Sequence, residues 1–257
     1  MTPFKNKNCI ITGGASGMGF ETAKKMAATG ANIALIDLNE EALHRSSEAL
    51  IPFGTNILPI TADLSKTKQI RKAFFQIETQ FKSISMLINC AGISTTELLL
   101  DIDESTWDLE MNINLKSIML LSQLTARNMI ENKVENGRII SIASQSGKHA
   151  EAKHGAYCVS KAGVIMLTKV LALELAEYGI TVNAVAPGIV DTPMIHSVIE
   201  KLGVPEEIFQ AKMANDIPLK RMALPEEIAD LIMFLASDKA SYITGITTTI
   251  AGGTTLD

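Results

Sequence analysis

The stretch Asn8-Cys9-Ile10-Ile11-Thr12-Gly13-Gly14-Ala15-Ser16-Gly17-Met18-Gly19 decides how this chain is read. Its first five residues form a short apolar run of the kind found in buried strands. They pass without a linker into a glycine cluster, and then into a helical pattern lasting to about Thr29. Glycines at 13, 17 and 19 permit a tight turn and let a pyrophosphate approach the backbone. Free N–H groups and the positive end of the following helix supply an anion site. A glycine cluster alone says little. Between a strand and a helix, at the head of a βαβ unit, it marks a dinucleotide turn built from Gly13, Ser16, Gly17, Met18 and Gly19.

Reading outward, the second strand, Asn32–Asp37, ends 18 residues after Gly19. A carboxylate there can accept hydrogen bonds from both adenosine ribose hydroxyls and would repel a 2′-phosphate. Neither Leu38 nor Asn39 beside it is basic, and the glycine turn has no Lys or Arg, so the reading is NAD rather than NADP. Asp37 could equally cap the helix that follows. Asp63, with Leu64 after the third strand, is a candidate for the adenine pocket, and a helix-entry cap fits its spacing as well.

Further strands are read at 56–60, Met86–Asn89, Arg138–Ile142, 180–185 and 246–250. They are nearly continuous in apolar character, which suits strands covered on both faces. Amphipathic helical segments separate them. Ser65 is read as the N-cap of a helix over 66–81, Pro225 as a first-turn proline, and Gly30 and Gly179 as glycines closing helices. Strand alternating with helix seven times predicts an α/β fold: one Rossmann-like, doubly wound domain over 1–257, with a seven-stranded parallel sheet flanked by helices. The long irregular stretch 188–218 reads as a substrate-covering flap.

Hydrophobic residues are 47% of the 257, enough for a substantial core, and the net charge of −5 disfavours nucleic acid as a partner. Cys9, Cys90 and Cys158 have no metal spacing and read as buried free thiols, so no metal site is expected. No targeting segment is visible and no stretch is read as approaching the ~20 apolar residues that span a bilayer, so a cytoplasmic chain without membrane contact is expected.

The chemistry is read from Tyr157 and Lys161, four apart on a helix with Val164, Leu167, Leu171 and Leu175 on one face. At that spacing the phenol and the ammonium converge. A free tyrosine titrates near ~10, and a neighbouring cation should favour the phenolate, allowing proton exchange with an alcohol near neutral pH. Ser144 follows the fifth strand at a carboxyl end, where open α/β sheets place ligands. Asn114 lies in a helical pattern after Trp107, by itself only a tolerated polar residue.

Taken together, the glycine turn, Asn89-Cys90-Ala91-Gly92, Asn114-Leu115-Lys116, Ser144, Tyr157-x-x-x-Lys161 and Pro187-Gly188 resemble the short-chain dehydrogenase/reductase family, in order and over essentially the whole chain. The resemblance implies hydride transfer at C4 of a nicotinamide, in a homotetramer. It implies that Tyr157 is the acid/base, that Ser144 orients the substrate oxygen, and that Lys161 holds the nicotinamide ribose and lowers the Tyr157 pKa. Asn114 would hold a water linking Lys161 to solvent. Asn89, Ala91 and Gly92 would border the adenosine ribose; Cys90 departs from the family's usual Asn-Asn-Ala-Gly and puts a structural hydrogen bond in question. Pro187, Gly188, Ile189, Thr192 and Met194 would cover the nicotinamide, with the Ile189 backbone and the Thr192 hydroxyl on its carboxamide.

Specificity is expected from 94–97, 145–156 and the flap. The middle loop resembles that of sugar-alcohol dehydrogenases of the sorbitol and galactitol type. Gln145, His149, Glu151 and His154 are its candidate hydroxyl contacts, and Lys148 or Lys153 a candidate phosphate contact. The expectation is a small-molecule secondary alcohol or its ketone: a polyol, sugar alcohol or sugar acid. The alternatives are a 3-oxoacyl-carrier-protein reductase, which the family resemblance would pair with NADPH and a basic entrance, and an NAD-binding sensor without turnover.

Overall fold

Seven strands form one parallel sheet: β1 (Asn8–Thr12), β2 (Asn32–Asp37), β3 (Ile57–Thr61), β4 (Met86–Asn89), β5 (Arg138–Ile142), β6 (Thr181–Pro187) and β7 (Thr247–Ile250). Their spatial order is β3-β2-β1-β4-β5-β6-β7. The computed structural model describes residues 4–255. Parallel neighbours need long crossovers, and these are supplied by α1 (Gly17–Ala28), α2 (Glu40–Leu50), α3 (Thr67–Phe81), α4 (Glu104–Met111), α5 (Ser117–Glu131), α6 (Gly155–Leu175) and, before β7, α7 (Pro193–Leu202), α8 (Glu206–Asp216) and α9 (Pro225–Ala236).

Register explains why the strand sequences lack alternation. Ile10 pairs with Ala34 and Leu87, and all three point into the core beneath α3, α5 and α6. Ile11 pairs with Leu35 and Ile88, which point into the opposite core beneath α1 and α9. Both faces bury side chains, so every strand position favours an apolar residue. Each fully buried Ile or Leu contributes about 1.5–3 kcal/mol.

Several boundaries differ by one or two residues from the sequence reading. β3 starts one residue late, and β6 runs on to Pro187, which ends the strand because it has no N–H to donate. α3 starts at Thr67 without a side-chain cap, so Ser65 is not its N-cap; its buried hydroxyl has no partner among the described residues. Asp63 closes that turn instead, accepting the Ser65 N–H at 2.8 Å. Gly30 and Gly179 do adopt positive φ after their helices, and Pro225 opens α9.

Two further expectations need correction. Residues 155–178 are long and apolar enough, by length and composition, to cross a bilayer. In this fold α6 lies on the sheet, with Val164, Thr168, Ala172 and Leu175 buried against it and Met166 and Leu173 exposed. The three cysteines are free, but only Cys9 is fully buried.

Candidate active site

The chain order reverses between β1 and β4: β2 and β3 lie to one side of this pair and β5 to β7 to the other. The crevice at their carboxyl ends is where such sheets take ligands. There a cleft of about 330 Å³ gathers Gly13, Ser16 to Gly19, Asp37 and Leu38, Asp63 and Leu64, and Ala91 and Gly92. The turn leaves no room for side chains. A Cβ on Gly19 would lie 2.1 Å from the Gly13 carbonyl, and one on Gly13, at φ +65°, would lie 2.9 Å from Ala91 N. Thr12 ties the two strand ends together, its hydroxyl accepting the N–H groups of Cys90 and Ala91 at 3.1 Å each. The backbone at Cys90 is thus held, which answers the question raised by the substitution there.

Asp37 stands at the mouth of this turn. One carboxylate oxygen accepts Ala15 N–H and the other Asn39 N–H, both at 3.1 Å. The cap of α2 is Asn39, not Asp37. Asp63 closes the turn before α3 and also lines the cleft. Asn89 does not border the cleft. It is 1% exposed and its amide donates to Ser141 Oγ across the sheet, so Cys90 to Gly92 form that wall instead.

A second cavity of about 480 Å³ adjoins the first and shares Met18, Thr192 and Met194 with it. Ser144, Tyr157, Pro187, Gly188 and Ile189 line this cavity. Ser144 leaves β5 and caps the turn Gln145–Gly147, its hydroxyl accepting Ser146 N–H at 3.1 Å, and it lines the cavity with Tyr157, whose pKa it works to lower. Lys161, one turn beyond Tyr157, is 3% exposed. Its ammonium lies 5.6 Å from the tyrosine ring centre and donates to the Ile142 carbonyl at 2.8 Å. Gly92 lies beside this pair: a Cβ on it would lie 3.3 Å from Asn114 Oδ1 and 3.4 Å from Lys161 Nζ.

The electrostatics correct the expectation of a lowered phenol pKa. Burial pushes Tyr157 up to about 12; the hydrogen bond from Ser144 works against this, and the Glu151 and Glu110 carboxylates add to it. Burial also pulls Lys161 down to about 8. In the ligand-free chain the tyrosine is therefore a protonated acid at neutral pH. Asn114 sits on a π-helical turn, Asn112–Lys116, a distortion often found at functional sites. Its side chain accepts Ile93 N–H at 2.9 Å and donates to Ile93 O at 2.8 Å and Ser160 Oγ at 3.1 Å. Both amide hydrogens are engaged by protein, so only a lone pair on Oδ1 remains for the implied water.

The substrate cavity has two characters. Ser94, Thr96, Gln145, Ser146, Glu151 and His154 form a polar wall. Ile195, Val198, Phe209, Met213 and Ile217, from α7, α8 and the residue after them, form an apolar one. His149 is exposed and outside the cavity, against expectation, because its loop leaves the wall between Ser146 and Glu151. Lys148 reaches back to Thr249 Oγ1 at 2.8 Å and Lys153 is exposed, so neither serves the cavity. Among the described residues no Lys or Arg lines it, whereas Glu151 and Asp216 do. Sequence reading missed Thr12 and Glu110. Glu110 is wholly buried and accepts Thr95 N–H at 2.5 Å; its spacing of four from Asn114 was the available signal.

Comparison with known proteins agrees with this geometry. A family model described as enoyl-(acyl carrier protein) reductase matches residues 13–255. A 3-oxoacyl-[acyl-carrier-protein] reductase of Thermotoga maritima is 37% identical over 97% of this chain and 98% of its own. An NAD-dependent glycerol dehydrogenase of Listeria innocua is 35% identical over 98% and 94%. The crystal structure of a short-chain type dehydrogenase/reductase from Mycobacterium marinum superposes with a TM-score of 0.90 at 32% identity, covering 100% of this chain and 98% of that one. The chain belongs to the short-chain dehydrogenase/reductase family. It is an oxidoreductase for CH–OH groups, built for a nicotinamide cofactor.

Proposed function

We propose that this chain uses NAD(H) to interconvert a secondary alcohol and its ketone, on an uncharged polyol or sugar alcohol. The observation that carries the reading is Tyr157 in the second cleft, lining it together with Ser144 and with the Lys161 ammonium 5.6 Å from its ring centre. The glycine turn, Asp37 and the Ala91–Gly92 backbone fit a dinucleotide, and Thr192 and Met194 stand where its nicotinamide would meet the substrate cavity. When bound, that group supplies the hydride acceptor or donor. Ser144 then orients the substrate oxygen, Tyr157 exchanges a proton with it, and Lys161 anchors the ribose and supplies positive charge beside the phenol.

Asp37 supports NAD, because a carboxylate held by two backbone N–H groups would face a 2′-phosphate with like charge. Glu151, Asp216 and the absence of basic lining among the described residues support an uncharged substrate, which sets aside sugar acids and phosphates. The apolar wall favours one second reading, reduction of a 3-oxoacyl thioester whose chain would lie along α7 and α8. We further propose a cytoplasmic homotetramer, supported by the apolar surface left on α6 and its neighbours.

A screen of polyols, diols, sugar acids and acyl thioesters, read as NADH or NADPH absorbance, decides among these. The expected result is turnover of an uncharged polyol with NAD and none with thioesters; turnover confined to thioesters with NADPH would overturn the proposal. Tyr157→Phe should abolish turnover and keep dinucleotide affinity. Persistent turnover in that variant would remove the mechanism, and a chain that binds NAD yet never turns over would be a sensor.

A further inference from the structure

Glu110 has no part in the chemistry above, yet it is a carboxylate with 0% exposure on α4. Burying such a group costs several kcal/mol unless it is held. One oxygen is held, by the Thr95 N–H. The other has no hydrogen-bond partner among the described residues. One helical turn further on, Asn114 grips Ile93 through both its N–H and its carbonyl. Two side chains thus clamp the loop after β4 at Ile93 and Thr95. Between these points Ser94 meets His154 Nδ1 at 3.3 Å, and both residues line the substrate cavity. α4 packs against α6, which carries Tyr157 and Lys161.

We propose that Glu110 is a positioning residue: through Thr95 it fixes the Ser94–His154 wall of the substrate cavity. The assignment follows from the hydrogen bonds. The Thr95 N–H holds this buried carboxylate, and Asn114 holds Ile93 two residues earlier, so Ser94 is fixed from both sides. Burial raises the Glu110 pKa and the Thr95 hydrogen bonds work against this. The effect on the wall stands apart from the dehydrogenase reading.

Glu110→Gln keeps the shape and the acceptor for Thr95, and Glu110→Leu removes the acceptor. In the full chain, hydrogen exchange at residues 93–96 should match wild type in Glu110→Gln and be at least about tenfold faster in Glu110→Leu. Equal exchange in the folded Glu110→Leu variant overturns the wall effect, and exchange as fast in Glu110→Gln as in Glu110→Leu overturns the hydrogen bond as its cause. The readout does not use turnover, so it stands apart from the Tyr157→Phe test.

Discussion

At Lys161 and Tyr157 the same burial acts in opposite directions on pH stability. Lys161 has a folded pKa of about 8, below the usual 10.5, so between these values the unfolded chain binds more protons and stability rises with pH. Tyr157 lies at about 12, above the usual 10, so the folded chain binds more protons there and stability falls as pH rises through that window. Urea unfolding of wild type and Lys161→Met should therefore converge between pH 8 and pH 10, with the deficit of the wild type shrinking. A constant difference would contradict a buried ammonium. Under the proposed NAD reading, Asp37→Ala removes a charge-assisted contact of about 1.5–3 kcal/mol with the ribose. NAD affinity by calorimetry should fall about tenfold or more, and the gap to NADP should narrow. An unchanged ratio would refute the ribose assignment.

Among the elements, α9 shows how a helix start is fixed. Pro225 opens it, and Glu227 reaches back to the Leu224 N–H at 2.8 Å while pairing both oxygens with Arg221 at 2.7 Å. The Arg221 hydrogen bonds hold Glu227 at about 2, below the usual 4.5. Its contribution is therefore full above pH 4.5 and lost as pH falls toward 2. The pair is exposed and screened, so Glu227→Gln should lower the unfolding midpoint by only about 1–3 °C at pH 7, and by almost nothing at pH 2.5. Calorimetry at the two pH values checks this. Element types and most strand limits were legible in the sequence, because Ile10, Leu35 and Ile88 could only belong to strands covered on both faces. The start of α3 was not. Ser65 has the right chemistry for a cap, yet its hydroxyl is buried away from the helix end while Asp63 closes the turn.

For the whole molecule, the sheet buries two cores but leaves Leu109, Met119, Met166 and Leu173 exposed on α4, α5 and α6, with Leu173 at 83%. Under the proposed tetramer, this surface is the association site. Leu173→Asp should lower the assembly mass measured by light scattering without unfolding the chain, and an unchanged mass would place the contact elsewhere. The two cavities show the other large-scale feature: they adjoin, with Met18, Thr192 and Met194 lining both.

From the order of residues alone came the strand–glycine–helix turn, the doubly wound sheet, and the convergence of Ser144, Tyr157 and Lys161. Each follows from short-range periodicity or from where parallel strands must end. Folding in three dimensions decided what depends on burial and direction. It set a phenol near 12 rather than below 10, and turned His149 and Lys148 away from the cavity and Asn89 into the sheet. It also placed a carboxylate at Glu110 behind the substrate wall. Desolvation and side-chain orientation are properties of packed neighbours distant in sequence, and no local pattern encodes them.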